Sequence, residues 1–334
     1  MMKSDRPFAV VTTTQAPTPS IRTLADSLKP FGCPLLIIGD KNGPFTYDAK
    51  GTELLTLEQQ IKLPFKLAPL LPEGHYTRKN LGFLIAMKRG ATSIYETDDD
   101  NAPLANWHWR DRQTKARELA AQGWVNVYRF FSNEKIWPRG FPLDLIRQPL
   151  PGHASPDALL EIDAPIQQGL TNGSPDVDAV WRLVFDTHVT FRNEPSVYLP
   201  KGAWCPFNSQ STWWWPQAYP LMYLPSGCSF RMTDIWRSFI AQRCLWEMNT
   251  GLVFHAAEVI QDRNVHKLMK NFEDEISGYL KNDEIIGHLA CLSLESGQKS
   301  AGPNLLKCYE ALVEKNVFPA SELALVKAWL ADAG

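Results

Sequence analysis

No stretch of this chain approaches the roughly 18 consecutive apolar residues of a membrane-spanning helix. The run from Leu81 to Met87 is cut by Lys88 and Arg89. After Met1 the apolar character reaches only Val10 and Val11 before polar Thr12–Thr14, too little for a secretory leader. Charge of one sign is also missing: Lys and Arg number 34 against 36 Asp and Glu, a formal net charge of −2. That balance argues against nucleic acid as a partner and against a membrane surface held by a basic field. The six cysteines, at 33, 205, 228, 244, 291 and 308, form no C-x-x-C pair. Neither a disulfide framework nor a structural zinc site is expected. The seven histidines show no H-x-x-x-H spacing, so a zincin-type metal site is unsupported. Together these absences predict a cytoplasmic protein with reduced thiols.

What is present is globular. Of 334 residues, 44% are apolar and 21% charged, enough for one large α/β domain with an extension, or for two domains. Twelve Trp and 25 Pro suggest aromatic-lined clefts and many ordered loops. The first half alternates in type. Phe8–Thr14 reads as a buried strand, and Ser20 is a candidate cap for a helix to about Lys29. Leu35–Ile38 reads as a second strand closed by Gly39-Asp40. Thr77–Arg89 carries Leu81, Leu84 and Ile85 at helical spacing, and Thr92–Tyr95 reads as a third strand. A helix over Arg112–Ala121 and a short strand near Val125–Tyr128 are expected next. Such alternation argues for a parallel sheet covered on both faces. The middle, to Leu224, is rich in Pro, turns and short strand-like pieces. Helical spacing returns at Thr233–Met248, Asn264–Leu280, Pro303–Glu314 and Pro319–Ala331.

The sharpest local feature is Glu96-Thr97-Asp98-Asp99-Asp100 after the third strand. The C-terminal ends of strands are where open α/β sheets bind ligands. Carboxylates so close repel unless a cation or hydrogen bonds compensate. Oxygen ligands suit a hard ion such as Mg²⁺ or Mn²⁺, and a solvated acidic loop is the plain alternative. Arg78 and Lys79 open the preceding helix, where two cations oppose the dipole unless an anion such as phosphate sits there; the alternative is two exposed, snorkelling side chains. Asp234 lies in the first turn of a helix that Thr233 can cap, either as a structural acid or as a general base facing a cleft. Trp213-Trp214-Trp215 either stacks on a ligand or fills the core, and His255 is either an extra ligand or structural.

Taken together, these segments resemble the STELLO family of glycosyltransferases. The resemblance covers nearly the whole chain and rests on Trp137-Pro138-Arg139-Gly140, Gln167-Gln168-Gly169, Asn172-Gly173-x-Pro175-Asp176-Val177-Asp178, Pro206-Phe207-Asn208-Ser209-Gln210 and Asp234-Ile235-Trp236-Arg237. The pattern is more distantly similar to reversibly glycosylated polypeptides, which are sugar-nucleotide mutases.

The resemblance implies an α/β GT-A fold: a Rossmann-like mixed sheet flanked by helices, with a helical C-terminal extension. It divides the chain into a nucleotide-sugar half (1–145), an acceptor half (146–262) and the extension (263–334). It implies a nucleotide-sugar donor, a glycan or lipid-linked acceptor and a Mn²⁺ or Mg²⁺ cofactor. Thr12, Thr13, Thr14, Asp40, Arg78, Lys79 and Asp99 would hold the donor. Arg139, Asn208, Gln210, Trp236 and Arg237 would hold acceptor or sugar, with Asp234 as the catalytic base. Relatives read Asp-Ala-Asp-Asp where this chain reads Glu96-Thr97-Asp98-Asp99, so the metal pair is either Glu96/Asp98 or Asp98/Asp100. A non-catalytic scaffold of the same shape and a mutase are the alternatives. A membrane-bound acceptor would add peripheral attachment, and the C-terminal helices offer a face for a homodimer.

Overall fold

The computed structural model describes residues 5–155, 158–261 and 267–334. Its first elements are β1 (Pro7–Thr12), α1 (Pro19–Leu28), β2 (Leu35–Ile38), β3 (Thr52–Leu55), α2 (Leu57–Ile61), α3 (Lys79–Lys88) and β4 (Ser93–Thr97). The middle adds β5 (Asn101–Pro103), β6 (Gln113–Glu118), β7 (Gly123–Trp124), α4 (Tyr128–Phe131), β8 (Leu160–Asp163), β9 (Ile166–Gly173), α5 (Ala179–Val184), β10 (Val197–Leu199), β11 (Ala203–Trp204) and β12 (Ser211–Trp214). The chain ends with α6 (Thr233–Glu247), β13 (Leu252–Gln261), α7 (Leu268–Ala290), α8 (Ala301–Glu314) and α9 (Glu322–Ala333).

Among the described residues, eleven strands form one mixed sheet in the order β3-β2-β1-β4-β12-β9-β13-β10-β6-β8, with β5 on β13. The first four pair in parallel, Val10 lying opposite Leu36 on one side and Glu96 on the other. Sheet direction then reverses, since β12 runs antiparallel to both β4 and β9. The parallel sheet expected from the alternation thus covers only the first half. Burial of both faces explains the continuous apolar runs of β1 and β2. Ala9, Val11, Leu35 and Ile37 meet Ile21, Leu24 and Leu28 of α1, while Phe8, Val10, Leu36 and Ile38 join the larger core containing α3 and α6. Gly82 lets α3 close on the sheet, because a Cβ there would lie 2.5 Å from Val10 Cγ1.

Two local expectations fail. Residues 113–118 form β6 rather than a helix, although Gln, Lys, Ala, Arg and Glu all favour helix. Pairing with β8 and β10 overrides that weak preference and buries Ala116. Val125–Tyr128 is not a strand; α4 begins at Tyr128. The helix expected from Asn264 has its first residues outside the described ones and runs from Leu268 to Ala290, past the expected end at Leu280. Trp213, Trp214 and Trp215 are core, and buried His255 is held by Ser196 and Gln167. The C-terminal helices pack back on the chain. Asp332 accepts hydrogen bonds from the backbone N–H groups of Lys66 and Leu67, and buried Glu322 accepts from Tyr223, Ser226 and Gly227. Among the described residues no helix is long and apolar enough to cross a membrane.

Candidate functional site

Strand order β3-β2-β1-β4 places a crevice at the C-terminal ends of β1 and β4, the position where open α/β sheets bind ligands. Two adjoining cavities occupy it. One, of about 400 Å³, is lined by Thr12–Gln15, Asp40, His75 and Arg78 among others. The other, of about 250 Å³, is lined by Asp98, Arg139, Asp176, Arg182, Gln210, Arg231, Asp234 and Gln261 among others. Thr12, Tyr76, Asp99, Asp100 and Phe230 belong to both and form the seam.

The acidic run hangs from β4. Glu96 points into the core and is fully buried. Its oxygens accept from Arg237 at 2.8 and 2.9 Å, from Ser209 Oγ at 2.5 Å and from Trp214 Nε1 at 3.0 Å. Both oxygens are committed to this core pair, so the Glu96/Asp98 choice loses its first member. The strand's end is the cause: β4 stops at Thr97, so Glu96 is still paired within the sheet while Asp98 lies just beyond it and lines the crevice. Asp98 accepts from Lys79 Nζ at 3.1 Å and Asp100 from Gln261 Nε2 at 2.8 Å. Asp99 accepts from the Thr13 hydroxyl, and its backbone carbonyl takes the Thr18 hydroxyl at 2.6 Å. Burial, reinforced by Asp100 and opposed by Lys79, pushes the Asp98 carboxyl up to about 7. Burial also raises Asp99.

Several expected binders have other partners. Lys79 is fully buried, its ammonium bonded to the Thr97 carbonyl at 2.8 Å and to Asp98, and it lines neither cavity. It holds the acidic strand end instead of reaching a diphosphate. Arg139 is clamped bidentately by Asp176 (2.7 and 2.8 Å) and by Asp234 (3.1 and 3.0 Å), leaving little of its fork for an acceptor anion. Trp236 is buried, bonded to Asn282 and set edge-to-face with Phe318, and Arg237 belongs to the Glu96 pair; neither lines the cleft. Asn208 closes a turn by accepting from the Gln210 N–H at 2.9 Å and lies outside both cavities. Gln210 does line the smaller one, paired with Gln261.

Others stand in the crevice. Thr12, Thr13 and Thr14 line the larger cavity. Asp40 lines it too, while its oxygens accept from the Lys41, Gly74 and His75 N–H groups and so fix the loop opposite. Arg78 donates to Gln60 at 2.6 Å and to the Leu71 carbonyl at 3.2 Å, and its Nη2 is buried with no hydrogen-bond partner among the described residues. Burial pulls its pKa down, with Asp40 and Glu73 opposing. Asp234 lines the smaller cavity. Burial would raise its carboxyl, but Arg139 together with Arg237 and Arg231 outweighs that and holds it below the usual range, with the Ser209 N–H adding a 3.3 Å contact.

Sequence reasoning missed Tyr76, Phe230, Asp176, Arg182, Arg231 and Gln261. Asp176 sits inside the quoted run 172–178, and Arg231 stands three residues before Asp234; Gln261 carried no sequence signal. Arg231 reaches the site only because Glu275 of α7 accepts from it at 2.8 Å while also capping the first N–H of α5. Among the described residues no group of three or more His, Cys, Asp or Glu is placed to hold a metal ion by itself.

The profile of the STELLO glycosyltransferases matches residues 231–334. Two curated relatives from Arabidopsis thaliana, named "Probable glycosyltransferase STELLO1" and "Probable glycosyltransferase STELLO2", are each 26% identical over 350 residues. The chain is similar to the STELLO glycosyltransferases over 97% of its length. It spans 44% of those relatives, somewhat less than half of each. Among solved structures, glucosyl-3-phosphoglycerate synthase from Mycobacterium tuberculosis with phosphoglyceric acid matches at 11% identity and a TM-score of 0.41, covering 83% of this chain and 80% of that one. The same enzyme with Mn²⁺, UDP-glucose and phosphoglyceric acid matches at 12% identity and a TM-score of 0.42, covering 83% and 79%.

Proposed function

We propose that the crevice binds a nucleotide-sugar donor with a divalent cation and transfers the sugar to a hydroxyl of a glycan or lipid-linked acceptor. The observation that carries this reading is the position of Asp98–Asp100. They stand at the switch point of the sheet, Asp99 and Asp100 at the seam of the two cavities and Asp98 on the wall of the smaller one. The likeness to the STELLO glycosyltransferases supports it.

The donor set fits Mg²⁺ or Mn²⁺. Asp98 and Asp100 offer hard oxygen ligands, and two protein carboxylates suffice where substrate phosphates supply the rest. A divalent cation bound there would neutralise charge on the leaving diphosphate. The chain's own groups do the remainder. The larger cavity takes the nucleoside, with Thr12–Thr14 on one wall and Arg78 Nη2 as an available donor. Lys79 keeps Asp98 in place from below rather than meeting phosphate. Gln210 and Gln261 present amides to sugar hydroxyls. Asp234, kept ionised by Arg139, receives the acceptor's proton if the reaction inverts the anomeric centre.

A second reading has its own observation. Both oxygens of Asp234 are engaged by Arg139, which weakens it as a base and favours a binding protein that holds a nucleotide without turning it over. A thermal-shift screen of UDP, GDP, CMP and dTDP, and their common sugars, with Mn²⁺ or with EDTA, tests the first step, since a ligand that binds the native state raises the melting temperature. A metal-dependent rise with one nucleotide supports the donor site, and no rise with any overturns it. Product analysis with the positive donor then separates transfer from mutase chemistry and from binding alone.

A further inference from the structure

The seam holds a polar group that the reading above leaves unused. Tyr76 lines both cavities. Its hydroxyl is out of contact with solvent, yet nothing among the described residues hydrogen-bonds it. Burying such a donor without a partner forfeits the hydrogen bonds it makes with water in the unfolded chain, so most buried hydroxyls are matched. Phe230 packs against the Tyr76 ring at 5.7 Å between centroids, and the Lys79 ammonium sits 5.2 Å from the ring centre. The hydroxyl also stays protonated: burial raises its pKa first, and Asp234, Glu96 and Asp98 raise it further. Tyr76 therefore brings a neutral donor to the junction of the two halves of the crevice, among carboxylates to which it gives no proton.

We infer that Tyr76 donates a hydrogen bond to the terminal phosphate of a bound nucleoside diphosphate. This rests on the donor reading of the cleft. The seam is where a diphosphate bridges a nucleoside in the larger cavity and a sugar in the smaller one. In transfer, the bond from the anomeric carbon to the diphosphate oxygen breaks and its electron pair stays on that oxygen. A bond forms from the anomeric carbon to the acceptor oxygen, whose proton passes to Asp234 in the inverting case. Negative charge thus grows on the terminal phosphate, and a hydrogen-bond donor that meets it there is worth more in the transition state than in the ground state. Tyr76 complements the acidic pair by supplying a donor without adding charge.

The test compares nucleotides that differ only by that phosphate. UMP and UDP, and GMP and GDP, are titrated calorimetrically with Mn²⁺ into the wild-type chain and into Tyr76→Phe. The expected result is unchanged monophosphate binding and about tenfold weaker diphosphate binding, the scale of one hydrogen bond to a charged group. The unliganded melting temperature of Tyr76→Phe is expected to match or exceed that of the wild type, because an unmatched hydroxyl is removed and the ring is kept. Equal loss for both nucleotides, no loss for either, or a markedly lower melting temperature overturns the assignment. If the wild type binds neither diphosphate, the donor reading itself falls and Tyr76 falls with it.

Discussion

Glu96 and Asp98 are two residues apart, and their surroundings assign them opposite work. Glu96 anchors Arg237 in the core, with Ser209 and Trp214 completing its hydrogen bonds. Removing one partner of such a pair leaves a buried charge uncompensated, so Glu96→Gln is expected to cost about 3–5 kcal/mol in chemical denaturation. Asp98 lies at the rim, where burial raises its carboxyl to about 7. Asp98→Asn should leave the unliganded melting temperature near that of the wild type or above it. It should also abolish the Mn²⁺-dependent rise with nucleotide, and a retained rise would sink the metal assignment. The two substitutions thus separate an acid that holds the fold together from one poised to hold a ligand.

At the scale of elements, α3 and α5 set the positions of the two walls. Gly82→Ala places a methyl 2.5 Å from Val10 Cγ1 and 2.9 Å from Ile38 Cγ1. Overpacking of that kind costs about 1–3 kcal/mol, only partly offset by the better helix propensity of Ala, which is worth up to about 1 kcal/mol. A net drop in denaturation midpoint, with weakened nucleotide binding because α3 carries Lys79 at its start, is expected. Helix α5 is capped by Asp178, which accepts from the Trp181 N–H at 2.8 Å and from Trp137 Nε1 at 2.6 Å. Burial lifts the Asp178 carboxyl to about 7 despite those bonds. Its folded pKa therefore exceeds its unfolded one, and the native state holds the extra proton between about pH 4 and pH 7. Stability from this group is present at the acidic end of that window and lost as pH rises through it. Asp178→Asn keeps a good cap and removes the titration. Melting temperatures measured at pH 5 and pH 8 should differ less in the variant than in the wild type, and an unchanged difference would rule Asp178 out as the source.

Across the whole molecule, the last helices are part of the site's foundation. Glu275 of α7 positions Arg231 and the start of α5, and Asp332 near the end of α9 ties down the backbone at Lys66 and Leu67. Asp332→Ala removes two backbone hydrogen bonds to a charged acceptor, each worth about 1.5–3 kcal/mol when well shielded and less at this partly exposed position. A lowered melting temperature with faster amide exchange confined to the segment around residue 66 is the expected signature. Exchange that rises uniformly would instead mean that the contact stabilises only the global fold.

The chain's local order was legible where chemistry and periodicity agreed. The apolar runs of β1 and β2 require a sheet buried on both faces, and the spacing in α3 and α6 requires helices. Three aspartates after β4 require compensation from somewhere. Those properties follow from side-chain hydrophobicity and from Coulomb repulsion between near neighbours, which sequence displays directly. The rest depended on contacts between residues far apart in the chain. Whether 113–118 became helix or strand was decided by the free edges of β8 and β10. Whether Glu96, Arg139, Lys79 and Arg237 would meet a ligand or each other was decided by packing, because a buried ion takes the nearest counter-ion that tertiary structure offers. Tyr76, Asp176, Arg231 and Gln261 entered the crevice for the same reason. Spacing along a chain states which groups are close in sequence, and only the closed fold settles which charges are left for a substrate.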